Sequence, residues 1–522
     1  MGTLNFVLHA HLPFVRHPEH ERFLEEDWFF EAITETYIPI LQAFQRLQSE
    51  GLNFKITMSL TPPLCEMLAD ELLQTRYLNH LNRLRELAEK ECTRTKNDPS
   101  YCYLAAMYRN RFEDCHRLFL HYDRNLLNGF RHFQKSGNLE IITCGATHGF
   151  LPNLRHAPRS VEAQLEAAVA NYQKHFGQDP WGIWLGECGY YPGLDTPLRN
   201  AGLKYFFTDT HGILQGTPPS PKGNYAPVQT PSGVYCFARD AESSKAVWSA
   251  EEGYPGDYRY REFYRDVGFD LPMDYIRPYI HPMGIRINTG IKYYRITGPG
   301  KHKEPYVEGW ARSAAQEHAE NFVFNRKLQI DFLSQHLDTP PSIICPYDAE
   351  LFGHWWYEGP IWLENVMRKI LKEPSQLQLS TPRDYLMQGY PIPKSQPAFS
   401  SWGAGGYADV WLNGTNDWIY PHLHKCGELM HAVARLPEGD SLSTRARDQM
   451  ARELLLAQSS DWAFIMKTGT MVEYAVKRTQ VHIDNCLRLH AQITTNHIDI
   501  DFLSNLEATN CIFPELQYRI YA

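Results

Sequence analysis

Gly182-Ile-Trp-Leu-Gly-Glu-Cys-Gly-Tyr-Tyr-Pro192 decides how this chain is read. A short apolar run, 182–185, delivers one acid, Glu187, to its end, and glycines and aromatics follow at once. An apolar run of this length, bounded by Gly and Pro, suits a buried strand. A carboxylate at the C-terminal end of a buried parallel strand is where α/β barrels place catalytic groups. The plain alternative is a strand-end Glu that caps the next helix or pairs with an arginine.

A second stretch shifts the balance. In Ile343-Ile-Cys-Pro-Tyr-Asp-Ala-Glu-Leu-Phe-Gly-His-Trp-Trp356, Asp348 also ends an apolar run and is also followed by aromatics. Two acids in strand-end, aromatic-rich settings point to paired carboxylates working on a sugar.

Outward from these two stretches, further strands are expected at residues 4–8, 54–60, 139–146, 205–209 and 234–240, with one more at 377–380. Residues 28–48 carry a helical apolar face that Pro39 should kink. Strands alternating with helices predict a parallel α/β sheet. About seven main strands, with polar residues at most of their C-terminal ends, fit a closed barrel better than an open sheet. No GxGxxG follows the first strand, so the dinucleotide signature is missing. The expectation is a distorted (β/α)7 barrel over residues 1–63 and 138–414. Residues 64–137, long charged helical patterns without a strand, form an inserted helical subdomain, and residues 415–522 a C-terminal all-helical domain. A hairpin is expected near 285–296. The Pro- and Gly-rich loop 211–232, with its single aromatic Tyr225, reads as a spacer or a mobile lid.

Composition narrows the function. The 522 residues carry a net charge of −9, so a basic footprint for nucleic acid is missing. Aromatics reach 13%, with 12 Trp and 30 Tyr, and several Trp fall inside the motif-like stretches, where sugar rings could stack on them. Eleven scattered cysteines without CxxC pairs suggest reduced thiols. No basic and apolar leader opens the sequence, and no apolar run approaches the length of a membrane span. A cytoplasmic protein, working without a membrane, is the expectation.

Glycosidic chemistry with retention needs one ionised nucleophile and one protonated acid. Glu187 is assigned the nucleophile and Asp348 the acid/base, an order that spacing alone leaves interchangeable. The acid must keep its proton, and Phe352, Trp355 and Trp356 could supply an apolar wall for it. His9, His11 and His148 sit at strand ends, placed to hydrogen-bond sugar hydroxyls or to orient the nucleophile. The rival readings are a zinc site completed by Asp209 and His211, or purely structural histidines. In Ser459-Ser-Asp461-Trp462 the plain reading is a helix N-cap. Trp402, in the Gly-rich turn 401–406, suits ring stacking or a buried anchor.

The pattern resembles glycoside hydrolase family 57, and within it the α-1,4-glucan branching enzymes. Five ordered stretches carry the resemblance: His9-Ala-His-Leu-Pro, Gly145-Ala-Thr-His-Gly-Phe, Trp184-Leu-Gly-Glu-Cys-Gly-Tyr, Tyr347-Asp-Ala-Glu-Leu-Phe-Gly-His-Trp-Trp and Ser459-Ser-Asp-Trp. Glu251-Glu-Gly-Tyr-Pro-Gly256 and Tyr260-Arg-Glu-Phe-Tyr264 add to it. The first stretch has His-Ala-His-Leu-Pro where relatives have His-Gln-Pro, and Gly186 stands where others often carry Pro. The resemblance implies a (β/α)7 barrel, Glu187 as nucleophile and Asp348 as proton donor. It also implies glucan contacts from Arg261, Trp402 and Asp461, to which Trp355, Trp462 and the three histidines are joined as candidates, and a lid tyrosine for which Tyr225 is the candidate. An α-1,4-glucan substrate and no metal or other cofactor are expected. Chain transfer to a 6-hydroxyl is the leading activity. Amylase-like hydrolysis or 4-α-glucanotransfer by the same site is the alternative, and a non-catalytic glucan-binding protein the outlying one.

Overall fold

The computed structural model describes residues 1–249, 251–298, 300, 302–373 and 375–522. Nine strands occur among them: β1 (Gly2–Ala10), β2 (Ile56–Leu60), β3 (Leu139–Cys144), β4 (Gly182–Trp184), β5 (Tyr205–Thr208), β6 (Val228–Gln229), β7 (Tyr235–Ala238), β8 (Ser342–Asp348) and β9 (Leu377–Leu379). Seven form one parallel run, in the order β7-β5-β4-β3-β2-β1-β8, and β9 adds to β1, also parallel. Leu4, Phe6, Val7 and Leu8 on β1, and Ile343, Ile344 and Tyr347 on β8, are all buried. Burial of both faces is what helices on the outside of a parallel sheet produce, and it explains why these strands read as continuous apolar runs.

The curled sheet is a distorted (β/α)7 barrel whose ladder does not close. Between β7 and β8 a backbone bond runs from the Asp240 N–H to the Ile344 carbonyl (2.9 Å). β6 pairs antiparallel with β7, and β9 pairs with Gly2–Leu4 of β1. The register sets His9 of β1 opposite both Ser59 of β2 and Asp348 of β8.

Some local expectations need correction. The regular helix is interrupted directly before Pro39. A π-helical turn, Ile33–Tyr37, lies between the helices Glu26–Ala32 and Ile38–Ser49, where Pro39 has no N–H to give the Glu35 carbonyl. The 285–296 segment is no hairpin. It is held by isolated bridges, Arg261 with Arg295 and Tyr294 with Pro305.

The loop 211–232 is not poised over the barrel mouth. Thr217 exchanges two backbone bonds with Gln396 (2.9 Å each), and Lys222 Nζ donates to Thr339 Oγ1 (2.8 Å) and the Pro391 carbonyl (2.9 Å). The Tyr225 carbonyl accepts from the N–H of Ser342, the first residue of β8 (2.7 Å). Asp348 is the last residue of that strand, about 20 Å away at an ordinary strand rise. The loop therefore runs down the barrel side, and Tyr225 lies at the end opposite the carboxylates.

Between β2 and β3 two long helices, Glu71–Arg94 and Pro99–His121, pack as a pair. Each starts on an aspartate N-cap, Asp70 accepting from the Leu73 N–H and Asp98 from that of Ser100. Tyr77, Leu81, Leu84 and Ala88 form the buried stripe of the first. After residue 418 the chain is helical, with Ile419–Ala434, Ser441–Ala457, Ser460–Thr468, Val472–Thr495 and Ile500–Thr509. There Glu453, fully buried, accepts from His482 (2.6 Å), Asn485 (3.1 Å), Asn510 (2.8 Å) and Gln449 (2.9 Å), so its lone pairs are satisfied. One hydrophobic cluster runs through barrel, paired helices and C-terminal helices. Among the described residues, no helix is long and apolar enough to cross a membrane.

Candidate active site

β4 ends at Trp184, and the chain then turns sharply. Glu187 (φ 60°, ψ 25°) and Cys188 (φ 51°) lie in the left-handed region, as does His148 (φ 59°) beyond β3. Each such non-glycine residue costs on the order of 1–3 kcal/mol and persists only where its surroundings hold it. The holding is visible. Gly186 packs so closely on the neighbouring turn that a Cβ there would lie 2.8 Å from the Gly149 carbonyl oxygen and 3.1 Å from that of His148. Glycine at 186 is thus required by this packing. The 400–402 segment runs alongside, with the Trp402 N–H donating to the Glu187 carbonyl (2.9 Å).

The Glu187 carboxylate accepts two hydrogen bonds, from Trp402 Nε1 at Oε2 (2.8 Å) and from Ser460 Oγ at Oε1 (3.0 Å). Ser460 opens the helix Ser460–Thr468, and its N–H docks on the His148 carbonyl (3.2 Å). The donor directions follow from the carboxylate outward. Ser460 gives its proton to Glu187, so its oxygen accepts from His148 Nδ1 (2.7 Å). His148 Nε2 is then bare and accepts from His9 Nε2 (2.8 Å). Burial, with the charge of neighbouring histidines, holds both His9 and His148 well below the usual histidine range, so both are neutral in this chain. The rings stack: His9 on Trp184 (4.8 Å), His11 on His148 (3.9 Å). Every proton in the row points toward Glu187.

Burial lifts Glu187 to about 7, and the nearby Asp461 charge adds to this; the bonds from Trp402 and Ser460 oppose it. Asp461 is the contrary case. Against the upward pull of burial, the charge and hydrogen bond of His11 hold it down to about 2. His11 Nε2 meets both Asp461 oxygens (3.0 and 3.1 Å), and His11 is correspondingly raised, burial opposing. Its Nδ1 meets Thr61 Oγ1 (3.0 Å).

Asp348 is different again. Burial, then the Glu350 and Glu187 charges, push it well above the usual carboxylate range. Among the described residues no hydrogen bond reaches its carboxyl group. Glu350 is fixed beside it by Tyr37 Oη (2.5 Å) and the His11 N–H (3.3 Å). Two like charges that feel each other cannot both ionise freely, so the pair shares its titration. Glu187, with two donors aimed at its charged form, loses its proton first, and Asp348 keeps one.

Several predicted substrate contacts fall elsewhere. Trp462 is buried, donates from Nε1 to the Leu456 carbonyl (2.9 Å) and packs on Tyr474; it is an anchor of the C-terminal helices. Arg261 is also buried, its guanidinium over the Tyr357 ring (4.1 Å), which leaves no surface for a glucan. His9 and His148 lie behind the carboxylate, and Trp402 gives Glu187 its indole N–H instead of offering a stacking face. His11 and Asp461 remain partly open. Trp355 is half-exposed and stacks on Phe263 (4.4 Å), whereas Trp356 and Phe352 pack inward. Sequence reasoning quoted Ser460 without a role and missed Tyr37 and Glu350. Only the Ser-Ser-Asp-Trp stretch carried a signal for Ser460.

Two groups could offer metal ligands: His9 with Cys144 and His148, and His11 with His148 and Asp461. In the second group the histidine nitrogens are engaged with His9, Ser460, Thr61 and Asp461; in the first, His148 is engaged with His9 and Ser460, and His9 Nδ1 has no partner among the described residues. Asp209 and His211 do not join them; Asp209 pairs with Arg239, and His211 Nε2 donates to the Gly406 carbonyl (2.8 Å).

Comparison with known proteins follows the same lines. The 1,4-alpha-glucan branching enzyme C-terminal model matches residues 422–521. The branching enzyme TK1436 of Thermococcus kodakarensis is 33% identical, over 97% of this chain and 76% of its own length. The crystal structure of a GH57-type branching enzyme from Pyrococcus horikoshii superposes with a TM-score of 0.89 at 32% identity, covering 100% of this chain and 96% of that one. The crystal structure of a protein described as the alpha-amylase AmyC of Thermotoga maritima gives 0.94 at 47% identity, covering 100% and 99%. The Glycosyl hydrolase family 57 model matches residues 5–339, from β1 through both turns that carry His148 and Glu187, and the chain belongs to that family.

Proposed function

We propose that this protein is a 1,4-alpha-glucan branching enzyme acting by retaining double displacement. The observation that carries the reading is the match of residues 422–521 to the branching-enzyme C-terminal model, because that segment supplies Ser460 and Asp461 to the site. The Glu187 carboxylate attacks the anomeric carbon as the C1–O4 bond breaks, and Asp348 gives its proton to the departing O4. The glycosyl chain is then held as an ester on Glu187. Asp348, now ionised, takes the proton of an incoming 6-hydroxyl, whose oxygen displaces Glu187 and forms the α-1,6 bond. His9, His148 and Ser460 keep the nucleophile in its ionised orientation; they are positioning residues. His11, Asp461 and Trp355 are the proposed glucan contacts. Success of transfer rests on excluding water from the ester.

The second reading is amylase-like hydrolysis, favoured by the 47% identity to the protein described as AmyC. Amylose incubation separates the two. Isoamylase-sensitive branches accumulating with few net reducing ends support the branching reading; reducing ends without branches replace it with hydrolysis; iodine colour changing with neither product means a 4-hydroxyl acceptor. The division into barrel, inserted helices and C-terminal helices near residues 64, 138 and 415, and a cytoplasmic setting, belong to the same proposal. The eleven cysteines are all unpaired, which supports that setting.

A further inference from the structure

An open groove of about 220 Å³ lies away from the carboxylates, lined by Tyr258, Arg259, Trp310 and Ser313. Trp310, in the first turn of the helix Glu308–His336, is 51% exposed, and Tyr258 is 58% exposed. Two large aromatics thus face one groove and offer apolar surface to a ligand there.

The surroundings say what chemistry would cover them. Arg259 is bonded through Nε to Asp257 (3.0 Å) and through Nη1 to Glu317 (2.8 Å). Arg295, also near the Tyr258 ring, pairs with Glu304 and donates to the Tyr258 carbonyl (3.1 Å). Both guanidiniums lie near that ring, at 5.8 and 5.5 Å from its centroid. Each cation is thus already neutralised by a carboxylate, which removes the attraction for an anion. What remains is two ring faces, a serine hydroxyl and carboxylate oxygens at the rim. Apolar C–H faces with hydroxyls around the edge, as in a neutral polyhydroxyl chain, match that set. The Tyr258 ring also has two guanidiniums within 6 Å, which limit the side-chain freedom lost on binding.

The position fits a long substrate. The helix Glu308–His336 runs into β8 from its far end, so Trp310 stands at the end of the barrel where Asp348 ends β8. Arg261, two residues beyond Arg259, is buried in the layer between, donating to the His354 carbonyl (3.5 Å). A polymer that overruns the catalytic cleft therefore has a second surface on the same rim.

We infer that Tyr258 and Trp310 form an auxiliary binding site for an α-1,4-glucan chain, which tethers polymer next to the catalytic cleft. This rests on the glucan reading above. The test uses the full chain and the double variant Tyr258→Ala/Trp310→Ala, each also with Glu187→Gln to stop turnover. Retardation in gels containing amylopectin should weaken at least about tenfold in the double variant. KM for amylose should rise with kcat kept, while maltoheptaose, far shorter than amylose, is turned over as before. The aromatic exchange Trp310→Tyr should restore most of the retardation. Equal retardation and equal KM in parent and variant would overturn the site, as would a loss that maltoheptaose shares. If the parent itself neither converts amylose nor is retarded, both readings fall; if it does both and the variant matches it, only the groove falls.

Discussion

Glu187 and Asp348 each follow a parallel strand at the same end of the sheet, yet their surroundings are opposites. Glu187 sits in a left-handed turn and accepts bonds from an indole and a hydroxyl, the latter backed by two neutral histidines. Asp348 ends its strand in ordinary extended geometry, partly open where the rest of the strand is buried, beside other carboxylates and, among the described residues, without a donor. Both are pushed up by burial, but only one is offered hydrogen bonds to its charged form. A difference in surroundings, with nearly equal side chains, is what separates nucleophile from acid.

Removing either carboxylate breaks the comparison outright. Glu187→Gln and Asp348→Asn should each lower kcat on amylose by at least about 10³-fold, read as branch formation. Equal activity in either variant would end the two-carboxylate reading.

The next effect sharpens it. Trp402→Phe and Ser460→Ala each delete one donor to ionised Glu187, so its proton is held to higher pH. The acid limb of kcat/KM should move upward in both, more for Trp402→Phe, with about 10–100-fold lower activity near pH 6. The alkaline limb, set by Asp348, should stay. A uniform loss with an unmoved profile would mean that the two residues only support the fold.

Stability gives a smaller effect with a definite sign. Glu187 is raised from 4.5 to about 7 by burial. A raised carboxyl favours the fold fully below about pH 4.5, and that contribution is lost as pH climbs through about 7. Glu187→Gln has no charge to bury. Its melting temperature should exceed the parent's by a few degrees at pH 7.5, about 1–3 kcal/mol, and match it at pH 4.5.

The smallest expected effect concerns Tyr225. Because its carbonyl is tied to the start of β8, Tyr225→Phe should leave the ratio of branches to reducing ends unchanged, within assay error. A shift toward hydrolysis would restore it as a lid.

The barrel was legible because buried parallel strands must be apolar on both faces, which marks 4–8, 139–144 and 342–348 in any reading of the chain. The strand ends carrying His9, Glu187 and Asp348 were legible for the same reason. Periodicity also marked the paired helices and those of the C-terminal region. It did not reveal the π-helical turn before Pro39. The loop 211–232 misled, because Pro and Gly signal irregular backbone and say nothing of where that backbone is tied down. Trp462 and Arg261 misled in another way: an aromatic or a cation in a motif has the same letter whether it faces a ligand or a core.

The sequence by itself determined the order of strands and helices and the two acids at strand ends. These follow from local chemistry: apolar periodicity, turn residues and residue size. Only the tertiary structure decided that Ser460, 273 residues from Glu187, gives it a hydrogen bond, and that His9 reaches it through His148. Side-chain direction, burial and the donors that face a carboxylate are properties of packed neighbours distant in the chain, and they decide which of two similar acids holds its proton.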